Sequence, residues 1–391
     1  MSKWEWKKLG EVCEFKDSQR KPITANKRVV GPYPYYGATG ILDYVEGFLF
    51  DEDLILLGED GAKWGSGDKS AFVISGKTWV NNHAHVLKPD SSVDYQWLIY
   101  YLNFSDLMKY VKGATVPKLN QENAKKILVP IPPLSEQKRI VKFLDEEISK
   151  IETLKTNAET NLKNAKELFE TTLEKELNPP SRHSERSEES SADLPSGWEW
   201  EILKNLGKTQ TGSTPSTSKP QYWDGDIPFL KPSNISYSGE LDLNQIQYLS
   251  PSGAEKSRII PRNSVLMVCI GASIGKVGLV EELVTCNQQI NAITPKKDVD
   301  VQYLYYALRT ETFQNKMKRE AGQATLPIIN KSKWENLQIP LPPLSVQKEI
   351  VARLDKLSEN VKRLEANYKQ IIANCDELKK SILKKTFEGE S

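Results

Sequence analysis

Two long stretches of the chain carry apolar residues at helical spacing, and the segments in front of them do not. From Ser135 to Asn178 no glycine or proline interrupts, charged residues are frequent, and apolar side chains recur at Ile140, Leu144, Ile148, Ile151, Leu154, Ala158, Leu162, Ala165 and Leu168. Steps of three and four residues put these on one face, which predicts one amphipathic helix over 135–178. A second seam runs through Ile350, Leu354, Leu357, Val361, Leu364, Tyr368, Ile371, Cys375, Leu378 and Ile382 and predicts a coiled-coil helix from Ser345 to about Phe387. Shifted back by 210 residues, this seam falls on Ile140, Leu144, Glu147, Ile151, Leu154, Ala158, Asn161, Ala165, Leu168 and Thr172. Glu147 and Asn161 are then expected as polar interruptions that fix register. A lone helix would leave its stripe in water, so the two are predicted to pair with each other. They are expected to run antiparallel, because two equal units joined head to tail through rods close on themselves only if the rods oppose. At about 1.5 Å per residue, about 40 residues make a rod of roughly 60 Å.

The segments 1–134 and 195–344 have another texture. Short β-rich runs in the first (Val29-Val30, Leu54–Leu57, Ala71–Ile74, His85–Leu87) alternate with Gly, Pro and Asp turns, and one helix is expected in each segment, at 95–110 and 301–317. Residues 179–194, PPSRHSERSEESSADL, have almost no apolar side chain to offset ordering entropy and read as a linker. The last helical segment is 345–391. The expected class is α+β: two mixed domains, each followed by a long helix, with the helices paired as an antiparallel coiled coil in a pseudo-twofold internal repeat.

The chain is duplicated in its letters as well. PIPPLSEQKRIVKFLD (130–145) returns as PLPPLSVQKEIVARLD (340–355), WVNNHAHVLKP (79–89) as VTCNQQINAITP (284–295), and YQWLIYYL (95–102) as VQYLYYAL (301–308). Both copies open on Trp-Glu-Trp, at Trp4 and Trp198. A period of half the chain is too long for a solenoid, whose repeats run about 20–50 residues. The reading is two homologous domains with one site each.

Charge sharpens this only a little. The formal net charge of +1 means that any polyanion must be met by local positive charge. Four cysteines, Cys13, Cys269, Cys286 and Cys375, form no metal spacing and are expected as isolated thiols in a reducing cytoplasm. No apolar run approaches the roughly 20 residues of a membrane span, so no membrane association is expected.

Motifs for chemistry fail one by one. Asn178-Pro179-Pro180-Ser181 lacks the aromatic fourth residue of an amino-methyltransferase loop and reads as a helix stop. Gly271-Ala272-Ser273-Ile274-Gly275-Lys276-Val277 is one residue short of a phosphate loop, and Val277 replaces its hydroxyl. Pro89-Asp90 with Glu136-Gln137-Lys138 spells a nuclease site, but Glu136 becomes Val346 in the second copy. His83 and His85 alternate on a strand without a third metal ligand, and the second copy has Gln289 and Asn291 there. No catalytic, cofactor or metal site is expected.

What remains is a set of polar, Gly-flanked loops. In the first domain they offer Tyr33, Tyr35 and Tyr36, then Lys63, Trp64, Ser66 and Lys69, then Thr115, Lys118 and Asn120. In the second they offer Lys208, Thr211, Ser213, Thr214, Lys219, Tyr222 and Trp223, then Lys231, Ser233 and Asn234, then Gln323, Thr325, Asn330 and Lys331. Lysines and hydroxyls position phosphates, and Asn and Gln read base edges, so the set suits double-stranded DNA.

A mixed domain ending in PIPPLSEQKRIV, a long helix, a second domain ending in PLPPLSVQKEIV and a second long helix resemble the specificity subunit of Type I restriction–modification systems. The 179–194 stretch is longer than the usual connection. The resemblance implies that each target-recognition domain reads one half of a bipartite, asymmetric DNA site and that the helix pair fixes the unread spacer. It also implies two modification subunits, carrying S-adenosylmethionine and the adenine methylation chemistry, docked on the helices, with ATP-driven restriction subunits joining them. The chain itself would then be a non-catalytic subunit. GEDGAKWG against CIGASIGKVG implies different half-sites. The alternatives are a specificity subunit of a stand-alone adenine methyltransferase, an autonomous DNA enzyme, and a coiled-coil scaffold that never touches DNA.

Overall fold

The computed structural model describes residues 4–113, 115–178, 194–244, 246–322 and 326–388. The linker expected at 179–194 lies outside these except for Leu194, as do the candidates Gln323 and Thr325.

The first domain contains β1 (Glu5–Lys8), β2 (Cys13–Phe15), β3 (Val30–Gly37), β4 (Gly40–Val45), β5 (Phe50–Asp51), β6 (Leu54–Gly58), β7 (Ala71–Ile74), β8 (Lys77–Val80), β9 (Ala84–Pro89) and β10 (Leu128–Ile131). They form a sheet of order β2-β9-β6-β7, a second of order β4-β3-β8-β5, and the pair β1-β10. β6 is buried at every position, as expected of a continuous apolar run covered on both faces.

The second domain repeats the plan with β11 (Glu199–Ile202), β12 (Gly207–Thr211), β13 (Trp223–Leu230), β14 (Gln247–Leu249), β15 (Ile259–Ile260), β16 (Ser264–Val268), β17 (Val277–Val280), β18 (Val284–Cys286), β19 (Ile290–Pro295) and β20 (Gln338–Leu341). Its sheets run β12-β19-β16-β17 and β14-β13-β18-β15, with the pair β11-β20. β3 pairs parallel to β8, and β13 parallel to β18, among otherwise antiparallel neighbours. The Trp-Glu-Trp repeats explain themselves here: Trp6 stands opposite Pro130 and Trp200 opposite Pro340, so each opening strand pairs with the strand that closes its own domain.

The longer helices are α1 (Tyr95–Phe104), α2 (Leu134–Leu177), α3 (Val301–Arg309), α4 (Glu311–Ala321) and α5 (Leu344–Glu388), and single helical turns stand at Leu9–Val12, Gln121–Ala124, Leu203–Leu206, Pro251–Ala254 and Lys331–Trp334. The helix expected at 95–110 stops at Phe104, where Ser105 turns extended, and a short 3-10 turn follows at Met108–Tyr110. The one expected at 301–317 is two helices. Thr310 breaks it by adopting extended backbone, donating its hydroxyl to the Ala307 carbonyl (2.8 Å) and accepting from the Phe313 amide (3.3 Å).

The repeated glutamine of the PPLSxQ motif joins each domain to its long helix. Gln137 is fully buried; its Nε2 donates to the Ser92 and Pro132 carbonyls (2.8 Å each), and its Oε1 accepts from the Asp94 amide (2.8 Å). Gln347 does the same with the Asp298 and Pro342 carbonyls (3.3 and 2.8 Å) and the Asp300 amide (2.8 Å). Asp94 and Asp300 are themselves the N-caps of α1 and α3.

The chain divides into two compact units, Met1–Thr160 with Tyr368–Ser391, and Asn161–Asn367, so each long helix contributes to both. In the first unit Lys155 pairs with Asp376 (2.7 Å) and Glu152 with Lys379 (2.8 Å), and in the second Glu176 pairs with Arg353 (2.6 Å), all in antiparallel order. The predicted antiparallel pairing is therefore present, but the seam differs. Leu154, Leu168, Leu364, Ile371 and Leu378 are exposed; Ile148 and Leu162 of the expected first-helix face are buried and half-buried, and Phe169 and Ile372, outside the expected seams, are buried and half-buried as well. Glu147 and Asn161 are not seam interruptions: Glu147 pairs with Lys150 (2.7 Å), and Asn161 is exposed.

The cause is the domain helix of each unit. Trp97 of α1 packs with Leu144, Ile148, Leu383 and Phe387. Tyr306 of α3 lies edge-on to Phe169 and donates its hydroxyl to Asp355 (2.7 Å). Burial is shared between the partner helix and the domain, and the outward column of each predicted seam stays in water. Leu173→Ala, at a fully buried site, should therefore cost about 2–5 kcal/mol. Leu168→Ala, at a position 55% exposed, should cost less than about 1 kcal/mol, measured for both as the shift in denaturant midpoint.

Candidate nucleic-acid interface

In the first domain three loops are tied together at one edge of the β2-β9-β6-β7 sheet. The Glu59 amide donates to the His83 carbonyl (2.8 Å), and the Glu59 carbonyl accepts from the Leu119 amide (2.8 Å). Beneath this backbone lies a buried charge cluster. His85 Nδ1 lies 2.6 Å from Asp17 Oδ2, and its Nε2–H donates to the Leu119 carbonyl (2.7 Å). Arg20 Nη1 donates to Glu59 (2.6 Å) and to the Ala84 carbonyl (2.7 Å), and Lys118 Nζ reaches the other Glu59 oxygen at 2.9 Å. Asp17 also accepts from the Val86 amide (2.9 Å) and Gln121 Nε2 (2.8 Å).

Burial pushes the Asp17 carboxyl up, but the His85 bond and charge, the Val86 amide and the Arg20 charge outweigh it and hold it below the ordinary carboxylate range. Glu59 behaves alike: burial is overcome by Arg20, Lys118 and His85. Asp17, Glu59 and His85 present ligand atoms within 4.8 Å of one another, yet Arg20 and Lys118 already supply the cations. His83 is not part of this set; it pairs with Asp60 at the exposed rim.

The second domain keeps the backbone and replaces the side chains. The Cys269 amide donates to the Gln289 carbonyl (2.8 Å), and the Cys269 carbonyl accepts from the Ile329 amide (2.9 Å). Where Asp17 meets His85, Thr211 Oγ1 donates to Asn291 Oδ1 (2.8 Å), and Asn291 Nδ2 donates to the Cys269 sulfur (3.2 Å). Ile328 stands where Lys118 does, each in a β-bridge, with Ile270 and Asp60 respectively. Uncharged Thr211, Asn291 and Cys269 side chains thus support the same frame, while Arg258 donates to the Thr211 carbonyl (2.7 Å) as Arg20 does to the Asp17 carbonyl (3.0 Å).

The polar-loop candidates scatter between surface and core. Tyr35 and Trp64 are buried: the Tyr35 hydroxyl accepts from the Ile23 amide (3.0 Å), and Trp64 Nε1 donates to the Gly58 carbonyl (2.9 Å), so both serve the fold. Asn234 is likewise buried and bonded to the Lys231 amide (2.9 Å) and the Asp242 carbonyl (3.2 Å). Asn120 and Asn330 cap the short helices that follow them, accepting from the Asn123 and Lys333 amides (2.9 Å each). Ser66 donates to the Phe104 carbonyl (2.7 Å) and Thr214 to Gln288 (2.7 Å), and the Ser213 carbonyl accepts from Ser257 (2.7 Å). Lys331 pairs with Glu335 (2.8 Å).

Tyr33, Tyr36, Tyr222 and Trp223 are half-buried, with Lys219 over the Tyr222 ring at 5.5 Å. Lys63, Lys69, Thr115, Lys208, Lys231 and Ser233 are exposed. The rim also holds His83, Asp60, Leu326 and Ile328, which a search for polar loops does not select. Asp60, Leu326 and Ile328 lie in the same glycine-flanked segments as the selected polar residues, and the one sequence signal at His83 is its alternation with His85.

The profile described as Type I restriction modification DNA specificity domain matches residues 1–163 and 195–373. A putative type I restriction enzyme specificity subunit of Haemophilus influenzae is 27% identical over 364 residues, covering 91% of this chain and 88% of that one. The MjaVIII type I specificity subunit of Methanocaldococcus jannaschii is 22% identical over 409 residues, covering 99% and 92%. A chain solved in work on complex assembly and conformational transition of the type I R-M system superposes with a TM-score of 0.74 at 20% identity, over 99% of this chain and 98% of that one. The HsdS subunit from Thermoanaerobacter tengcongensis gives 0.60 at 20% identity, over 100% and 98%. At this identity the two structures speak for the fold.

The buried cluster makes the first domain acid-sensitive. Both carboxylates titrate below their ordinary values of 3.8 and 4.5, so their contribution is present above those values and lost as pH falls through the lowered folded ones. The variant Asp17→Asn/Glu59→Gln, which leaves the cations unpaired, should be about 3–5 kcal/mol less stable than the parent at pH 7. That gap should narrow at pH 3, measured by thermal unfolding at both pH values.

Proposed function

Because this chain belongs to the type I restriction–modification DNA specificity family and is a DNA sequence-recognition subunit, we propose that each mixed domain reads one half of a bipartite, asymmetric site and that the helix pair sets the unread spacer. The observation that carries this reading is the duplicated frame. One topology occurs twice with one backbone bonding scheme at the loop rim, and the side chains on that rim differ. Two readers of one design with different reading groups fit a target with two different halves.

On this reading the chain is a non-catalytic subunit. The Gly271–Lys276 turn joins antiparallel strands β16 and β17 rather than a strand and a helix, and Lys276 donates to the Pro232 carbonyl (3.2 Å) under the Tyr237 ring. It therefore lacks the build of a phosphate loop. Asp90 accepts from the Ser92 amide and hydroxyl (2.8 and 2.6 Å), closing its own turn.

The partners on this reading are double-stranded DNA, two modification subunits and restriction subunits, working in the cytoplasm. Apolar columns left in water support docking on the helices: Leu154, Ile371 and Leu378 in one unit, and Leu168 and Leu364 in the other. Among the described residues no helix is long and apolar enough to cross a membrane.

The test is a paired deletion of one heptad, 158–164 together with 366–372, the segment facing it in the register of the Lys155–Asp376 and Glu176–Arg353 pairs. A heptad of helix is about 10 Å and a base pair about 3.4 Å, so the spacer should shorten by about three base pairs with both half-sites unchanged. Adenine methylation mapped across the genome reads this directly, with co-purification of the modification subunits as the assembly control. An unchanged spacer would remove the ruler role from the helices.

A further inference from the structure

The two rims share a backbone and present opposite chemistry. In the first domain the rim carries His83, Asp60 and Lys118, with Lys118 Nζ 3.6 Å from Asp60 as well as 2.9 Å from Glu59. In the second the same positions hold Gln289, Ile270 and Ile328, and the preceding turn adds Leu326. Ile328 is 47% and Leu326 55% exposed, although both stand on an ordered frame: the Gly271 amide donates to the Pro327 carbonyl (3.0 Å). Leu326 Cδ1 and Gln289 Nε2 both lie within 3.7 Å of the space that a side chain on Gly271 would occupy, so the three residues form one patch.

Beside this patch is an open cleft of about 740 Å³, walled by Ile274, Ala321 and Pro327 and edged by Lys318 and Arg319 in the last turn of α4. Among the described residues no carboxylate pairs with Lys318 or Arg319, whereas Lys331 and Lys333 nearby pair with Glu335 and Glu320. Unneutralised cations next to exposed aliphatic side chains call for an occupant that is anionic along its length and apolar at a point. In a DNA duplex the apolar group on the major-groove edge is the C5 methyl of thymine.

We propose that the second domain reads a thymine methyl through Leu326 and Ile328, with Lys318 and Arg319 on the neighbouring phosphates, while the first domain reads hydrogen-bonding base edges through its charged rim. This rests on the DNA-reading function above and assigns the chemistry of each half.

The experiment uses the full chain with duplexes selected from a random pool. Each thymine of the selected sequence is replaced in turn by deoxyuridine, which removes only the methyl. Binding should weaken about fourfold at one position in one half-site, the factor for losing one buried methyl-sized group, and stay unchanged at every thymine of the other half. The Leu326→Ala/Ile328→Ala variant should bind thymine and deoxyuridine duplexes alike. Lys318→Ala/Arg319→Ala should weaken binding to all sequences and reduce the salt slope by about two. A selected bipartite sequence in which no thymine-to-deoxyuridine change matters overturns this inference alone. So does a thymine preference that survives the Leu326/Ile328 variant. A chain that binds all duplexes equally overturns the DNA-reading function and this inference with it.

Discussion

A single buried amide in each half decides how a long helix leaves its domain. Gln137 and Gln347 each make three hydrogen bonds from an almost water-free site, and two of the groups they satisfy belong to the segment that caps the domain helix. Removing either side chain would leave buried donors and acceptors unpaired, at about 1–3 kcal/mol each. The neighbouring bonds reinforce the joint: Trp97 donates to the Pro130 carbonyl (3.0 Å) and Tyr303 to the Pro340 carbonyl (2.7 Å), so closing strand, domain helix and long helix are held as one corner. With the exit direction fixed, the residues that the long helix turns inward are fixed too.

That constraint accounts for the rotated seam. A two-stranded coil with no other neighbour would bury both of its apolar columns. Here α1 and α3 occupy part of each helix surface, so Ile148 and Phe169 go inward and Leu154 and Leu168 outward. Tyr100 to Asp145 (2.6 Å) and Tyr306 to Asp355 (2.7 Å) occupy matching places in the two units, which shows that the rotation belongs to the repeat rather than to one copy.

Periodicity placed the first long helix and the start of the second to within a residue because 44 and 45 positions without glycine or proline leave no other element, while the end expected at 391 lies outside the described residues. It misplaced the seam because it sees one helix at a time and not the domain helix packed beside it. How the side chains of the polar loops pack was not legible. Asn120, Asn234 and Asn330 read as base-contacting amides, yet each bonds the backbone within a few residues, a local geometry that composition does not encode. Tyr35 and Trp64 sit among glycines and lysines in sequence and in the core in space. The pairing of Asp17 with His85 spans 68 residues, and its replacement by Thr211 with Asn291 becomes visible only when the strand registers are compared.

The central claim is that two independent readers share one scaffold. The most direct measurement exchanges residues 1–130 for the corresponding domain of a relative and maps methylated adenines in cells carrying the hybrid. The account predicts that one half-site changes to the relative's while the other half and the spacer stay as they were. If both halves change together, or methylation vanishes while the complex still assembles, the domains do not read independently and the account is contradicted.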